Sequence, residues 1–140
     1  MEERFTTSDR LATLSLFGLG VFVDIRGLYW TVRQNDVLDD SEFYQALHRL
    51  MPIWILGILL LVFGTLLMLA SVFYAKHSIM KKSNYFMLIG GVGSSIIHFL
   101  MASAAIYNSI NWVTPAQFVA MTAWLGFVGF IGGLNIYGRR

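Results

Sequence analysis

The chain contains no cysteine and few charged residues, and each shortage excludes a class of protein. Without cysteine, it can form neither disulfides nor thiolate metal sites, and it cannot carry out thiol redox chemistry. Charged residues make up 13% of the 140 residues, whereas hydrophobic residues make up 56%. A chain of this composition has too few polar side chains to cover a soluble globule of its size. We therefore expect an integral membrane protein.

Catalytic motifs are missing as well. The sequence has no glycine-rich phosphate loop, no H-E-x-x-H pair of metal ligands and no nucleophile elbow. Its three histidines, His48, His77 and His98, are predicted at three different levels of the membrane, which does not favour joint ligation of a haem. We expect no enzymatic activity, no cofactor, no metal site and no nucleic-acid partner.

What the chain does have is four long apolar segments, at 11–32, 52–75, 84–107 and 117–137. Each is close to the roughly 20 residues that a helix needs to cross about 30 Å of hydrocarbon. Together they take up about two thirds of the chain, which leaves no room for a soluble catalytic domain. The predicted fold is a single all-α domain over 1–140, with four transmembrane helices in an antiparallel bundle.

Basic residues indicate how the bundle is oriented. Only Arg33 and Arg49 fall in the connections on one side of the predicted membrane. Seven fall on the other side: Arg4, Arg10, Lys76, Lys81, Lys82, Arg139 and Arg140. Because cytoplasmic segments carry the excess of Lys and Arg, both termini are predicted to be cytoplasmic, and the expected location is the plasma membrane.

The longest connection, 33–51, is acidic and is predicted to be extracellular. Phe43, Leu47 and Leu50 recur within it at helical spacing. This pattern predicts a short amphipathic helix over 41–50, lying on the outer surface of the membrane.

Small residues recur along the predicted spans in a heptad-like pattern. A period of 3.5 residues keeps one stripe of a helix facing a neighbour, and small side chains let two backbones approach in lipid. The stripe could line a pore or pack the four helices together, and packing is the favoured interpretation. The glycines predicted to pack helices are Gly20, Gly27, Gly57, Gly64, Gly91, Gly126, Gly129 and Gly133.

Two ionisable residues, Asp24 and His98, fall at nearly equal depth in the first and third spans. A charge near the bilayer centre costs roughly 2.5–3.5 kcal/mol on insertion scales, so each is expected to have a partner. A contact between Asp24 and His98 is geometrically permitted. Such a pair could form an ion or proton path, or it could be a neutral hydrogen bond that fixes the helix register.

Arg26 is a third ionisable residue inside the first span, two residues after Asp24. On a helix it points about 200° away from Asp24, so the two cannot pair face to face. It is expected either to snorkel to the outer interface or to meet a second subunit or an acidic partner.

Three functions fit these observations. The preferred one is an oligomeric channel- or transporter-like bundle with Asp24 and His98 on its path. The alternatives are a non-catalytic accessory or assembly subunit of a larger membrane complex, and a membrane effector or immunity protein that acts on permeability. The expected partners are membrane lipids and either further copies of the chain or a larger membrane protein.

Overall fold

The computed structural model describes residues 6–75, 80–109 and 111–138, and within these ranges the chain is all-helical, without strands. Four helices are long and apolar enough to cross a membrane, which confirms the predicted class and the number of spans. The six helices are α1 Thr7–Val32, α2 Gln34–Asp40, α3 Glu42–Leu50, α4 Ile53–Tyr74, α5 Met80–Asn108 and α6 Val113–Tyr137.

Three of the long helices begin about four residues before the predicted spans. Apolar composition marks only the part of a helix that suits hydrocarbon, whereas the helix itself continues until its free backbone groups are capped. At the start of α1, Thr6 Oγ1 accepts a hydrogen bond from Asp9 N at 3.2 Å, and Thr6 N donates to Asp9 Oδ2 at 3.0 Å. This reciprocal capping box explains why α1 begins at Thr7.

The connection between α1 and α4 is more helical than expected. It contains α3 in the segment predicted to be amphipathic, with Phe43 and Leu47 buried and Leu50 exposed. It also contains α2, which the sequence reasoning missed. Some of the basic residues used to predict the orientation lie outside the described residues, namely Arg4, Lys76, Arg139 and Arg140.

The long helices pack in chain order, α1 against α4, α4 against α5 and α5 against α6. Residues early in α1 meet residues late in α4, as when Ser71 Oγ donates to Thr13 O at 2.8 Å. A cleft of about 240 Å³ lies between α1 and α6, lined by Ala12, Ser15, Leu16, Leu19, Tyr74, Met87, Trp124, Val128, Ile131 and Asn135. We call it the α1–α6 cleft.

Short α3 covers one end of the bundle, which we call the α3 end. There the Phe43 ring stacks on Phe118 of α6 with the centroids 5.5 Å apart, and the Tyr44 ring meets Trp30 of α1 edge-on at 5.9 Å. α3 also packs against α5. The helix therefore ties three of the long helices together at this end.

Large apolar side chains cover the outside of the bundle. In water such a continuous apolar surface would drive association, whereas lipid solvates it. Representative exposed residues of α1 and α6 are Leu14, Ile25, Leu28, Phe127, Phe130 and Leu134. The surface is compatible with a small polytopic membrane protein.

Candidate functional site

Arg26 points into the bundle near the α3 end. Its guanidinium carbon lies 5.0 Å from the centre of the Phe118 ring and 5.7 Å from that of Phe22, and Nη1 donates to Met101 Sδ at 4.0 Å. Both ring distances are within the range of cation–π contacts. In the described part of the chain, no carboxylate lies within ion-pair distance of Arg26. Snorkelling and contact with a second subunit stay predictions, and within the chain Arg26 has aromatic and sulfur partners.

His98 is fully buried in the middle of α5. Its Nδ1 donates to Ser94 O at 2.9 Å, one turn earlier in the same helix. Because a carbonyl can only accept, Nδ1 carries the proton and Nε2 is left to interact elsewhere. No described protein group hydrogen-bonds Nε2 or the buried Ser94 Oγ. His98 and Arg26 are close enough to interact electrostatically.

Tyr44 of α3 is the third polar residue near Arg26 and His98. It interacts electrostatically with Arg26, and burial raises its pKa above the usual range for tyrosine, with the charge of Arg26 acting in the opposite direction. Burial has the larger effect because a phenolate loses hydration when α3 packs on the bundle. Arg26, His98 and Tyr44, from α1, α5 and α3, therefore form a polar cluster at the α3 end.

A polar cavity of about 260 Å³ opens beside this cluster. We call it the α3-end cavity, and it is lined by Asp40, Ser41, Phe43, Tyr44, Asn108, Ser109, Asn111, Thr114 and Phe118. Phe118 lines the cavity and also contacts the guanidinium of Arg26. Phe118 therefore contacts both the cavity and the partly buried charge.

Asp24 lies elsewhere, in the seam between α1 and α4. Its Oδ2 accepts a hydrogen bond from Thr65 Oγ1 at 3.3 Å, while Oδ1 packs directly against Gly64 and has no described hydrogen-bond partner. No hydrogen bond or ion pair joins Asp24 to His98. The expected direct pair is therefore not formed, because equal depth in the membrane does not put two residues on facing sides of their helices.

Four of the predicted packing glycines meet across the α1–α4 seam. A Cβ on Gly20 would lie 2.8 Å from Gly64 O, and one on Gly27 would lie 2.7 Å from Gly57 O. These are backbone atoms, which cannot move aside as the end of a flexible side chain can. The α1 and α4 backbones approach each other too closely at these positions for any larger residue.

The seam between α5 and α6 is similar but uses a partly different set of glycines. A Cβ on Gly91 would lie 2.5 Å from Gly129 N, whereas one on Gly133 would meet only Leu88 Cδ1, at 3.5 Å. The closest approach in the next turn is at Gly132, where an added Cβ would lie 2.7 Å from Asn84 O. Gly126, also predicted to pack, has Ser95 Oγ at 3.3 Å. Sequence reasoning missed Gly132.

It also missed Phe118, Met101 and Tyr44 around Arg26. They are apolar or aromatic residues in apolar or amphipathic helices, and nothing in their spacing separates them from ordinary core residues. Among the described residues, no group of three or more His, Asp or Glu side chains could hold a metal ion. Comparison with protein-family models, with curated proteins and with solved structures finds no match to this chain.

Proposed function

We propose that this chain is a small polytopic protein of the plasma membrane that assembles into an oligomer and has a channel- or transporter-like role. The observation that carries the proposal is the polar cluster, because Arg26 and His98 lie inside the bundle with no acidic partner among the described residues. Ionisable groups inside a membrane are costly and usually lie on substrate or ion pathways. The role is binding and passage of a solute rather than catalysis.

In this proposal the four long helices form an antiparallel bundle with both termini in the cytoplasm, and α3 lies on the outer face. The distribution of Lys and Arg supports this orientation. Arg26 then lies roughly 9 Å below the outer end of α1, at 1.5 Å per residue. A solute would enter from outside through the α3-end cavity, and His98, being fully buried, would be reached when Phe118 or α3 moves.

The orientation can be tested with single cysteines, because the natural chain has none. Ser41→Cys lies beside α3, and Gly138→Cys lies at the end of α6. A membrane-impermeant maleimide added to intact cells should label the first and leave the second unlabelled until the cells are opened. The reverse labelling pattern would invert the proposed topology.

The transport role is tested by flux through proteoliposomes, measured with potassium and chloride as the available ions. Arg26→Gln and His98→Asn should lower the flux at least tenfold, while circular dichroism and gel filtration show folded protein. Arg33→Gln is the matched control, because Arg33 is exposed at the end of α1 and pairs with Asp36 at 2.5 Å. Wild-type flux in both folded variants would remove the cluster from the function.

Asp24→Asn distinguishes the two candidate paths. The cluster proposal expects near-normal flux, because Asp24 contacts Thr65 and Gly64 in the α1–α4 seam. Loss of flux in this variant, with Arg26→Gln unaffected, would restore Asp24 to the path in place of Arg26.

A second candidate role is an accessory subunit of a larger membrane protein. The α1–α6 cleft supports it, because Trp124, near the middle of α6, is 54% exposed there and offers an apolar surface to another helix. Native mass spectrometry of gently extracted protein separates the two roles. A homo-oligomer alone supports the transport role, whereas stoichiometric co-purification of a larger membrane protein supports the accessory role.

A further inference from the structure

The guanidinium of Arg26 has more hydrogen-bonding capacity than its surroundings use. It carries five N–H donors in a planar fork, and the hydrogen bond found for it goes to a weak acceptor, Met101 Sδ at 4.0 Å. The rings of Phe118 and Phe22 supply attraction to the cation but accept no strong hydrogen bond. The positive charge is thus partly shielded and not neutralised.

The groups around Arg26 make a bound anion the natural complement. At an effective dielectric constant of about 20, two opposite charges attract each other roughly four times more strongly than in bulk water. Phe118 and Met101 keep the surroundings of Arg26 apolar, so an anion here would gain more than one at the surface. His98 Nε2, buried and without a hydrogen-bond partner among the described residues, offers a further hydrogen-bonding position within electrostatic range of this charge.

The α3-end cavity gives such an anion a way in. Its volume of about 260 Å³ equals that of several water molecules at about 30 Å³ each, enough for a small ion and part of its hydration shell. Asn108, Asn111 and Thr114 line it with groups that can replace that hydration. Phe118, stacked on Phe43, lines the cavity and also contacts the guanidinium of Arg26.

One charge in the cavity opposes an anion. Asp40 lines the cavity and is exposed, so salt screens its field over about 8 Å at physiological ionic strength. Arg26 is partly buried against aromatic rings, so salt screens its charge less. The balance favours a small monovalent anion, because the one guanidinium charge neutralises one negative charge, and a second negative charge would stay uncompensated in these apolar surroundings.

We propose that Arg26 binds a small monovalent anion, such as a halide, nitrate or a short carboxylate, which enters through the α3-end cavity past Phe118. The inference rests on the proposed transport role, since it names the class of solute for the same site. It assigns Phe118 a positioning role, holding the guanidinium by a cation–π contact until the anion arrives.

Equilibrium binding tests the proposal without requiring flux. The melting temperature of the purified protein in mild detergent would be measured in sodium chloride, nitrate and formate, with gluconate keeping the ionic strength constant. A ligand that binds only the folded state raises the melting temperature in a saturable way. The wild type and Arg33→Gln should both gain several degrees, and Arg26→Gln should lose this gain.

The change in affinity caused by Asp40→Asn tells whether the site binds an anion or a cation. It removes the opposing carboxylate, so an anion should bind several-fold more tightly and half-saturation should fall to lower concentration. If the site instead holds a cation, Asp40→Asn should weaken binding and Arg26→Gln should strengthen it, and replacing sodium by choline should abolish the shift. That pattern, or an equal anion-dependent shift in Arg26→Gln, would overturn the proposal.

Binding and flux together separate the two proposals. Flux that depends on Arg26, in protein that shows no anion-dependent stabilisation, would keep the transport role and overturn the anion as its solute. Anion binding that depends on Arg26, without flux in proteoliposomes, would support the anion site and overturn the transport role.

Discussion

The α1–α4 seam and the polar cluster at the α3 end differ in how closely the helices approach and in whether the polar groups have hydrogen-bond partners. In the seam, Gly20 and Gly27 of α1 bring the two backbones into contact, and Ser71 donates to a carbonyl of the neighbouring helix. At the α3 end, Arg26 and His98 are enclosed by large side chains and retain unused hydrogen-bonding capacity.

The α1–α4 seam holds two helices together through backbone contacts, whereas the polar cluster is where the proposed anion would bind. Close backbone packing is a main source of helix association in lipid, where apolar burial gives little. Buried polar groups with unused capacity reduce stability unless something else completes them. Substitutions in the seam should therefore destabilise the protein, and substitutions in the cluster should affect binding more than stability.

The largest expected loss comes from Gly27→Leu. The new side chain would begin 2.7 Å from Gly57 O and 2.8 Å from Leu61 N, so α1 and α4 would have to separate. We expect a loss of more than about 3 kcal/mol in the free energy of unfolding, above the usual cost of overpacking. Gly18→Leu is the control, because a Cβ there meets nothing within 4 Å. Equal stability of the two variants in reversible unfolding from micelles would mean that the seam is not packed as described.

A finer test uses the adjacent glycines of α6. Gly132→Ala places a methyl group 2.7 Å from Asn84 O, whereas Gly133→Ala meets only Leu88 Cδ1 at 3.5 Å. The first should cost about 1–3 kcal/mol, and the second should change the free energy of unfolding by less than about 0.5 kcal/mol. The same unfolding assay measures both. A larger loss for Gly133→Ala would favour the heptad stripe predicted from sequence over the observed contact at Gly132.

The sequence predicts the four spans well because the length of hydrocarbon and the cost of charge in lipid leave few alternatives. It also singles out Gly20, Gly27, Gly57 and Gly64, whose spacing of seven keeps them on one stripe of each helix. The sequence does not show whether Gly132 or Gly133 contacts α5. Both are small and adjacent, and only the rotation of α6 against α5 decides which one meets the neighbouring backbone.

The site was harder to predict, because it depends on which helices are neighbours. Asp24 and His98 share a depth, yet α1 presents Asp24 to α4 while Arg26 points toward Met101 of α5 and Phe118 of α6. Periodicity gives the angle between two residues on one helix and says nothing of what lies opposite. The sequence therefore identifies the ionisable residues that fall inside the predicted spans, but it does not identify their partners.

Replacing Arg26 by Met should separate stability from binding. Removing an uncompensated cation from the membrane relieves roughly 3 kcal/mol on insertion scales, and losing the contacts with Phe118 and Phe22 costs about 2 kcal/mol. We expect Arg26→Met to be about 1 kcal/mol more stable than the wild type in anion-free buffer, with anion binding lost. A loss of more than about 1 kcal/mol would show that the cation–π contacts mainly hold the helices together. Arg33→Met, at an exposed ion pair, should change little.

The smallest expected effect concerns a single hydrogen bond in the seam. Ser71→Ala removes the bond to Thr13 O, which joins α4 to α1 at 2.8 Å, and should cost about 0.6 kcal/mol, the average for such bonds in membranes. Ser103→Ala is its control, because Ser103 donates to Phe99 O within its own helix and joins no second helix. Reversible unfolding of both variants in the same micelles measures this difference. A loss of 2 kcal/mol or more for Ser71→Ala would mean that hydrogen bonding, and not glycine packing alone, holds α1 against α4.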